Sequence, residues 1–213
     1  MSLLPQDGAL VAYLVACLAL SATPGPDMAL FLQKTLTGGR AHGFSALTGV
    51  MTGVLIHTVA ATLGLSALIL AAPPLYEALR LAGAFYLLFL AIDALRRGSK
   101  LKLDVDAAAP SDLFETYAMG VLINLTNPKV VLFFVTFLPQ FIVSGASYAP
   151  ARFLALGLGF IVIATLVNAA VIAGAARFVA AIRRRPSAMR LVDYLVAAAM
   201  SAFAARLLWM WSG

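Results

Sequence analysis

From Ala41 to Tyr76 the chain holds no aspartate, glutamate, lysine or arginine. A helix rises about 1.5 Å per residue and a bilayer crossing takes roughly 20 apolar residues, so this run exceeds one crossing. It must hold one long helix, a turn and the start of another. Composition extends the constraint to the whole chain. Of 213 residues, 62% are hydrophobic and 11% charged, against about 45–50% and about 25% in ordinary soluble domains. Mean hydropathy is +0.97. So few charges cannot cover a water-facing surface, and the solvent for most of the chain is the bilayer.

The apolar runs and their interruptions predict an all-α integral membrane protein with about six transmembrane helices. The first runs from about residue 8 to 33 and is broken at Thr23-Pro24-Gly25-Pro26-Asp27. The second covers about 43–71 and the third about 75–95, with Pro73-Pro74 as the turn. Residues 96–112 carry Arg96, Arg97, Lys100, Lys102, Asp104 and Asp106 and read as a polar loop. The fourth helix covers about 113–142, interrupted at Asn127-Pro128, and the fifth about 150–176. Arg183-Arg184-Arg185-Pro186 forms a loop, and the sixth helix runs about 190–211 to Trp209 and Trp211, suited to an interfacial aromatic belt. No room is left for a soluble domain, so residues 1–213 read as one transporter-sized membrane domain. The N-terminus lacks a basic n-region, and the first helix is expected to be retained rather than cleaved.

The net charge of +6 invites a nucleic-acid reading, but its distribution favours membrane orientation. Loops after the first, third and fifth helices hold eleven of the 15 basic residues. Short basic loops stay cytoplasmic, which places both termini on the opposite, periplasmic side. A five-span arrangement, with one broken segment not crossing, would move one terminus.

Two segments resemble each other. Pro26-Asp27-Met28-Ala29-Leu30-Phe31 matches Pro128-Lys129-Val130-Val131-Leu132-Phe133 at an offset of 102. Leu55-Ile56-His57 matches Leu166-Val167-Asn168 at 111, and Arg96 matches Arg206 at 110. Units of about 8–95 and 113–211 hold three helices each. An odd number makes the second unit enter the membrane inverted, the arrangement in which transport sites lie at discontinuous helices.

The breaks concentrate the candidate chemistry. Pro24 and Pro26 remove backbone donors, Gly25 permits a bend, and the freed carbonyls need a buried or polar-lined setting. A half-helix starting at Pro26 aims N–H groups at that setting, suiting a carboxylate, unless the break is only a packing kink. Asp27 is a costly intramembrane acid and a functional candidate: it binds a substrate ammonium, carries a coupling proton, or caps the half-helix. At the second break, Asn124, Thr126 and Asn127 offer neutral donors and acceptors. Beyond Pro128, Lys129 faces Asp27 or a substrate carboxylate, or snorkels to the headgroups. His57 and Asn168 lie deep in apolar sequence, where helix-to-helix hydrogen bonding is the default, with a proton relay the alternative for His57. Asp93 and Arg96 share a helix face and read as a structural pair or a site pair. Gly49-Val50-Met51-Thr52-Gly53 is a GxxxG pattern serving either the fold or a homodimer.

Other chemistries find no footing. One cysteine, Cys17, and two histidines, His42 and His57, make no disulfide, metal centre or cofactor site. Ser66 and His57 stand nine residues apart, about 13 Å of helical rise, too far for a serine–histidine pair. No phosphate-binding loop occurs, which excludes a built-in ATPase. A non-transporting scaffold would not need two proline-broken segments with an acid at one and a lysine at the other.

Together these residues resemble the LysE/RhtB (lysine exporter) family of bacterial amino-acid exporters. The resemblance rests on Thr23-Pro24-Gly25-Pro26-Asp27, Gly38-Gly39-Arg40, Gly43, Gly49, Gly53, His57, Gly64 and Gly83-Ala84-Phe85-Tyr86-Leu87. It continues through Asn127-Pro128-Lys129, Phe133 and Pro139-Gln140-Phe141, covering about residues 8–210. It implies an inner-membrane antiporter that exports amino acids or related small zwitterions, coupled to protons, with the lipid bilayer and a small-molecule substrate as its partners. The family shows Asn where this chain has Asp27, and often glycine where this chain has Ala91.

Overall fold

The structure is a computed structural model. It describes residues 8–97, 112–142 and 148–184, together with scattered positions between 190 and 205. Residues 98–111 of the expected polar loop, the Arg185-Pro186 turn, both termini, Trp209 and Trp211 lie outside the described residues. The same holds for the side chain of Asp93, so its pairing with Arg96 is not described. Arg96 and Arg97, expected in the polar loop, are helical.

The described residues are helical, without strands. The helices are α1 (Gly8–Ala22), α2 (Pro26–Gly38), α3 (Arg40–Ala60), α4 (Ser66–Ala71), α5 (Pro73–Arg97), α6 (Leu113–Thr126), α7 (Pro128–Leu132), α8 (Ala149–Ala173) and α9 (Ala175–Arg184). A π turn over Ala61–Leu65 joins α3 to α4, and another over Phe133–Phe137 leads from α7 into a short 3₁₀ turn, Leu138–Phe141.

Among the described residues, Arg40–Leu68 and Ala149–Ala173 are long and apolar enough to cross a membrane. Two bent pairs bring the number to four if each is one span. Residues 9–22 and 26–38 meet at 49°, and residues 113–126 and 128–141 at 52°. The expected proline-broken first and fourth helices are therefore present, with similar bends. The third expected helix coincides with α5, and the described positions from 190 onward are helical.

Several boundaries move for local reasons. Pro73 and Pro74 do not make the turn between the second and third helices. The chain turns at Ala72, whose φ is −145° and ψ 67°, and the prolines open α5. Their missing N–H groups fall where a helix has no internal partner for them. The first segment runs past residue 33 to Gly38 and stops at Gly39, whose φ of +84° is costly for other residues. The fifth helix breaks at Gly174 but resumes as α9, so Arg183 and Arg184 are helical rather than loop.

Small residues set the central packing. α3 lies along α6 because both present glycine there. A Cβ on Gly49 would overlap the carbonyl oxygen of Tyr117, and one on Gly120 would come 3.2 Å from the Cα of Gly49. A Cβ on Gly53 would come 2.6 Å from Oδ1 of Asn124. The GxxxG face is thus engaged inside the protein, as small-residue helix contacts are in bilayers, and it is not free for a second copy. Gly157 of α8 accepts Thr58 of α3 in the same way. Phe133, Phe134, Phe137 and Phe160 pack with Tyr13 and Phe153 in one core, and a second gathers Met28, Phe31, Leu47 and Ile172. Large apolar side chains such as Leu63, Leu122, Val162 and Leu166 point outward, as a lipid-facing surface requires.

Candidate functional site

The two helix breaks meet. Backbone geometry explains each, and two polar side chains join them. A proline at position i leaves the carbonyl at i−4 without its helical donor. Pro24 does this to Leu20, and Nζ of Lys129 donates to that carbonyl oxygen at 3.2 Å. The same ammonium donates to the carbonyl of Thr23 at 2.9 Å. Pro128 does it to Asn124, whose carbonyl accepts from the amide N–H of Asn127 at 3.1 Å and lies 3.4 Å from Nε2 of His57. In the other direction, Nδ2 of Asn124 donates to Oδ2 of Asp27 at 3.0 Å. Each half-helix therefore sends the residue after its first proline into the other half's break, an acid from one and a lysine from the other.

Lys129 accordingly does not snorkel to the headgroups, and its hydrogen bonds go to carbonyls rather than to Asp27. It substitutes for backbone donors. Gly25 also has a different reason from the one its type suggests. Its φ of −163° and ψ of −173° are extended values open to any residue. Its bare Cα instead makes room for the lysine, because a Cβ would sit 3.2 Å from Nζ. Asn127 caps α7, its Oδ1 accepting from the N–H of Lys129 at 3.1 Å. Asp27 does not cap α2, whose N-cap is Gly25 with no side-chain hydrogen bond.

A cavity opens beside this crossing. Its polar lining is Ser21, Thr23, Asp27, Asn124, Lys129 and Asn168, and Phe31, Val54 and Phe160 are among its apolar walls. It encloses about 30 Å³ of space for water centres, room for about two waters and too little for an amino acid. Of the residues singled out by sequence, Asp27, Asn124, Lys129 and Asn168 line it. Pro24, Gly25, Pro26, Asn127 and Pro128 shape the breaks behind it. His57 stands outside the lining, against Asn124 and stacked on Phe134 with ring centroids 5.7 Å apart. Its contact joins helix to helix, as its apolar surroundings predict. Asn168 does not; its Nδ2 donates within its own helix to Ala164 at 2.9 Å. Sequence reading missed Ser21 and Phe160. Ser21 falls one turn before the break, a usable signal, whereas Phe160 is one phenylalanine among 13.

Among the described residues no group of three or more His, Cys, Asp or Glu is placed to hold a metal ion.

An all-helical membrane protein whose two bent spans exchange polar side chains across a cavity has the build of a small-molecule translocator. The chain belongs to the LysE type translocator family, matched over residues 18–210. Among its relatives, an uncharacterised membrane protein of Pseudomonas aeruginosa is 29% identical over 81% of this chain and 82% of its own. The leucine efflux protein of Salmonella choleraesuis is 31% identical over 73% of this chain and 70% of its own. The membrane protein YrhP of Bacillus subtilis is 34% identical over 62% of this chain and 67% of its own. No solved structure matches the chain.

Proposed function

We propose that this protein is a secondary transporter that exports amino acids or closely related small zwitterions across the bacterial inner membrane, coupled to protons. The observation that carries this reading is the reciprocal crossing of the two helix breaks over one cavity. Asp27, Asn124, Lys129 and Asn168 line that cavity and are its working groups. An acid from one half-helix and a lysine from the other suit the two ends of a zwitterion, and Asp27 is a titratable group where a coupling proton would be exchanged. Membership of the translocator family and likeness to a leucine efflux protein support the same reading.

The architecture proposed with it is a single domain of six spans in two inverted repeats, about 8–95 and 113–211. Matching bends of 49° and 52° support it. So does the packing of α1 against α8 and α3 against α6, the pairing that exchange of the two repeats would produce. Both termini then face the periplasm. Single cysteines placed by Ser2→Cys and Ser212→Cys, in a Cys17→Ala background, are expected to react with an impermeant thiol reagent in intact right-side-out spheroplasts, and in inside-out vesicles only after lysis. Reaction from the cytoplasmic side without lysis overturns the topology.

Counterflow in proteoliposomes tests the function. Labelled basic, neutral and branched amino acids are exchanged with and without a pH gradient. Exchange of one class, stimulated by the gradient, is the expected result. Absence of exchange for every amino acid, from folded protein, shifts the assignment to another metabolite or to a membrane scaffold.

A further inference from the structure

The hydrogen-bonding capacity of the cavity is one-sided. Every side-chain donor atom that lines it already has an acceptor. Oγ of Ser21 donates to the carbonyl of Cys17 at 2.7 Å and Oγ1 of Thr23 to that of Ala19 at 2.6 Å. Nδ2 of Asn124 is held by Asp27, Nδ2 of Asn168 by Ala164, and Nζ of Lys129 by Leu20 and Thr23. On the residues that line it, the side-chain atoms buried without any partner are all acceptors: Oδ1 of Asp27, Asn124 and Asn168.

Chemistry fixes which end of each amide is which. A carboxylate and a carbonyl accept only, so the atoms of Asn124 and Asn168 that meet them are the NH₂ groups. Their oxygens are therefore the unpaired ends. Asn124 turns its oxygen toward Gly53. That leaves Oδ1 of Asp27, on α2, and Oδ1 of Asn168, on α8, as unpartnered acceptors on lining residues, while the buried unpartnered donor at the breaks, Nδ2 of Asn127, belongs to a residue outside the lining. Asn168 is only 7% exposed, and buried acceptors are costly to leave bare.

We infer that this wall is an ammonium subsite, and that a protonated primary amine is the group a ligand cannot do without. This rests on the transport reading above and specifies it. An –NH₃⁺ supplies three donors and no acceptor, which complements Oδ1 of Asp27 and Oδ1 of Asn168 and leaves spare lone pairs on Ser21 and Thr23 as further partners. A carboxylate finds less: the ammonium of Lys129 has two of its three N–H groups engaged. Amines lacking a carboxylate are thus ligands, and carboxylic acids lacking an amine are not.

Binding of a matched series to the purified wild-type protein in detergent, read by calorimetry, tests this without any variant. For each of several side chains the series holds the amino acid, its decarboxylated amine, its deaminated acid and its N-acetyl derivative. The amino acid and the amine are expected to bind within about tenfold of each other, with the acid and the N-acetyl compound at least tenfold weaker. Asp27→Asn and Asn168→Leu are each expected to weaken the amine by about tenfold or more. Binding of the amino acid and the acid but not the amine overturns the subsite while leaving amino-acid transport standing. Failure of every amino acid to bind overturns the transport reading and the subsite with it.

Discussion

Lys129 replaces the backbone donor that Pro24 lacks, and this substitution can be measured. Lys129→Met strips the carbonyls of Leu20 and Thr23 of bonds of 3.2 and 2.9 Å. A hydrogen bond to a charged group contributes about 1.5–3 kcal/mol. Removing a buried ammonium also returns several kcal/mol of desolvation, so the single variant is a difference between large terms. A double-mutant cycle with Pro24→Ala isolates the bond. Alanine restores the N–H at position 24, and the Leu20 carbonyl is then satisfied within the helix whether or not lysine is present. One of the two bonds becomes redundant. Lys129→Met should then cost about 1–2 kcal/mol less in the Pro24→Ala background. For a chain of this size that is about 2–8 °C in Tm. Cys17 supplies the assay. It is the only cysteine and is fully buried, so its reaction with a thiol-reactive fluorophore during heating reports unfolding. Pro26→Ala is the control, because the carbonyl it would satisfy, on Ala22, has no bond to Lys129. Additivity of Pro24→Ala and Lys129→Met within about 0.5 kcal/mol, or equal coupling for Pro26→Ala, refutes the reasoning.

Three further outcomes follow from the same geometry. Gly25→Ala keeps an allowed backbone but places a Cβ 3.2 Å from Nζ of Lys129, so thermal stability should fall only modestly while counterflow falls severalfold; full counterflow would show that the lysine position does not matter. Gly49→Ala should cost at least about 2 kcal/mol because its Cβ overlaps the Tyr117 backbone, whereas Gly64→Ala, with open space around it, should leave Tm unchanged or raised, and equal effects at both would contradict the α3–α6 contact. Tyr13→Phe removes the 2.5 Å hydrogen bond from the tyrosine hydroxyl to the Leu156 carbonyl and should lower stability by about 1–2 kcal/mol, measured by circular dichroism on heating, and an unchanged Tm would remove that bond from the α1–α8 contact.

The legible part of this fold was the part that side-chain type alone decides. Proline at 24, 26 and 128 removes a donor in any context, so both breaks could be placed by reading. Unbroken apolar runs likewise gave the long helices. What stayed hidden depends on which residue stands opposite. Lys129 carries the same charge whether it snorkels, pairs with Asp27 or reaches the Leu20 carbonyl, and only the packing of α7 against α1 decides. Gly25 shows the same limit: its type suggests an unusual bend, but its backbone is ordinary and the space it leaves is what matters. Gly49 and Gly53 signal a close contact without naming the partner, which proved to be α6 and not a second copy. Pro73-Pro74 signals a helix boundary without saying whether it ends one helix or begins the next.

The bonds across the breaks bear on how cargo would enter. The cavity takes about two waters, so an amino acid is admitted only when its walls part. The walls come from α1, α2, α3, α6, α7 and α8, and polar bonds tie α1 and α2 to α6 and α7: Asn124 to Asp27, and Lys129 to the carbonyls of Leu20 and Thr23. Both join groups that a zwitterion can also engage. An ammonium at Asp27 competes with Asn124, and a carboxylate competes with the carbonyls for Lys129. A ligand that satisfies these groups itself lowers the cost of separating the halves, whereas an empty site keeps them tied. Differential binding of this kind is what a ligand needs to shift a conformational equilibrium. On the transport reading proposed above, the residues that repair the broken helices would also couple occupancy to opening, which gives a reason for an acid and a lysine to stand at the breaks rather than elsewhere in the cavity.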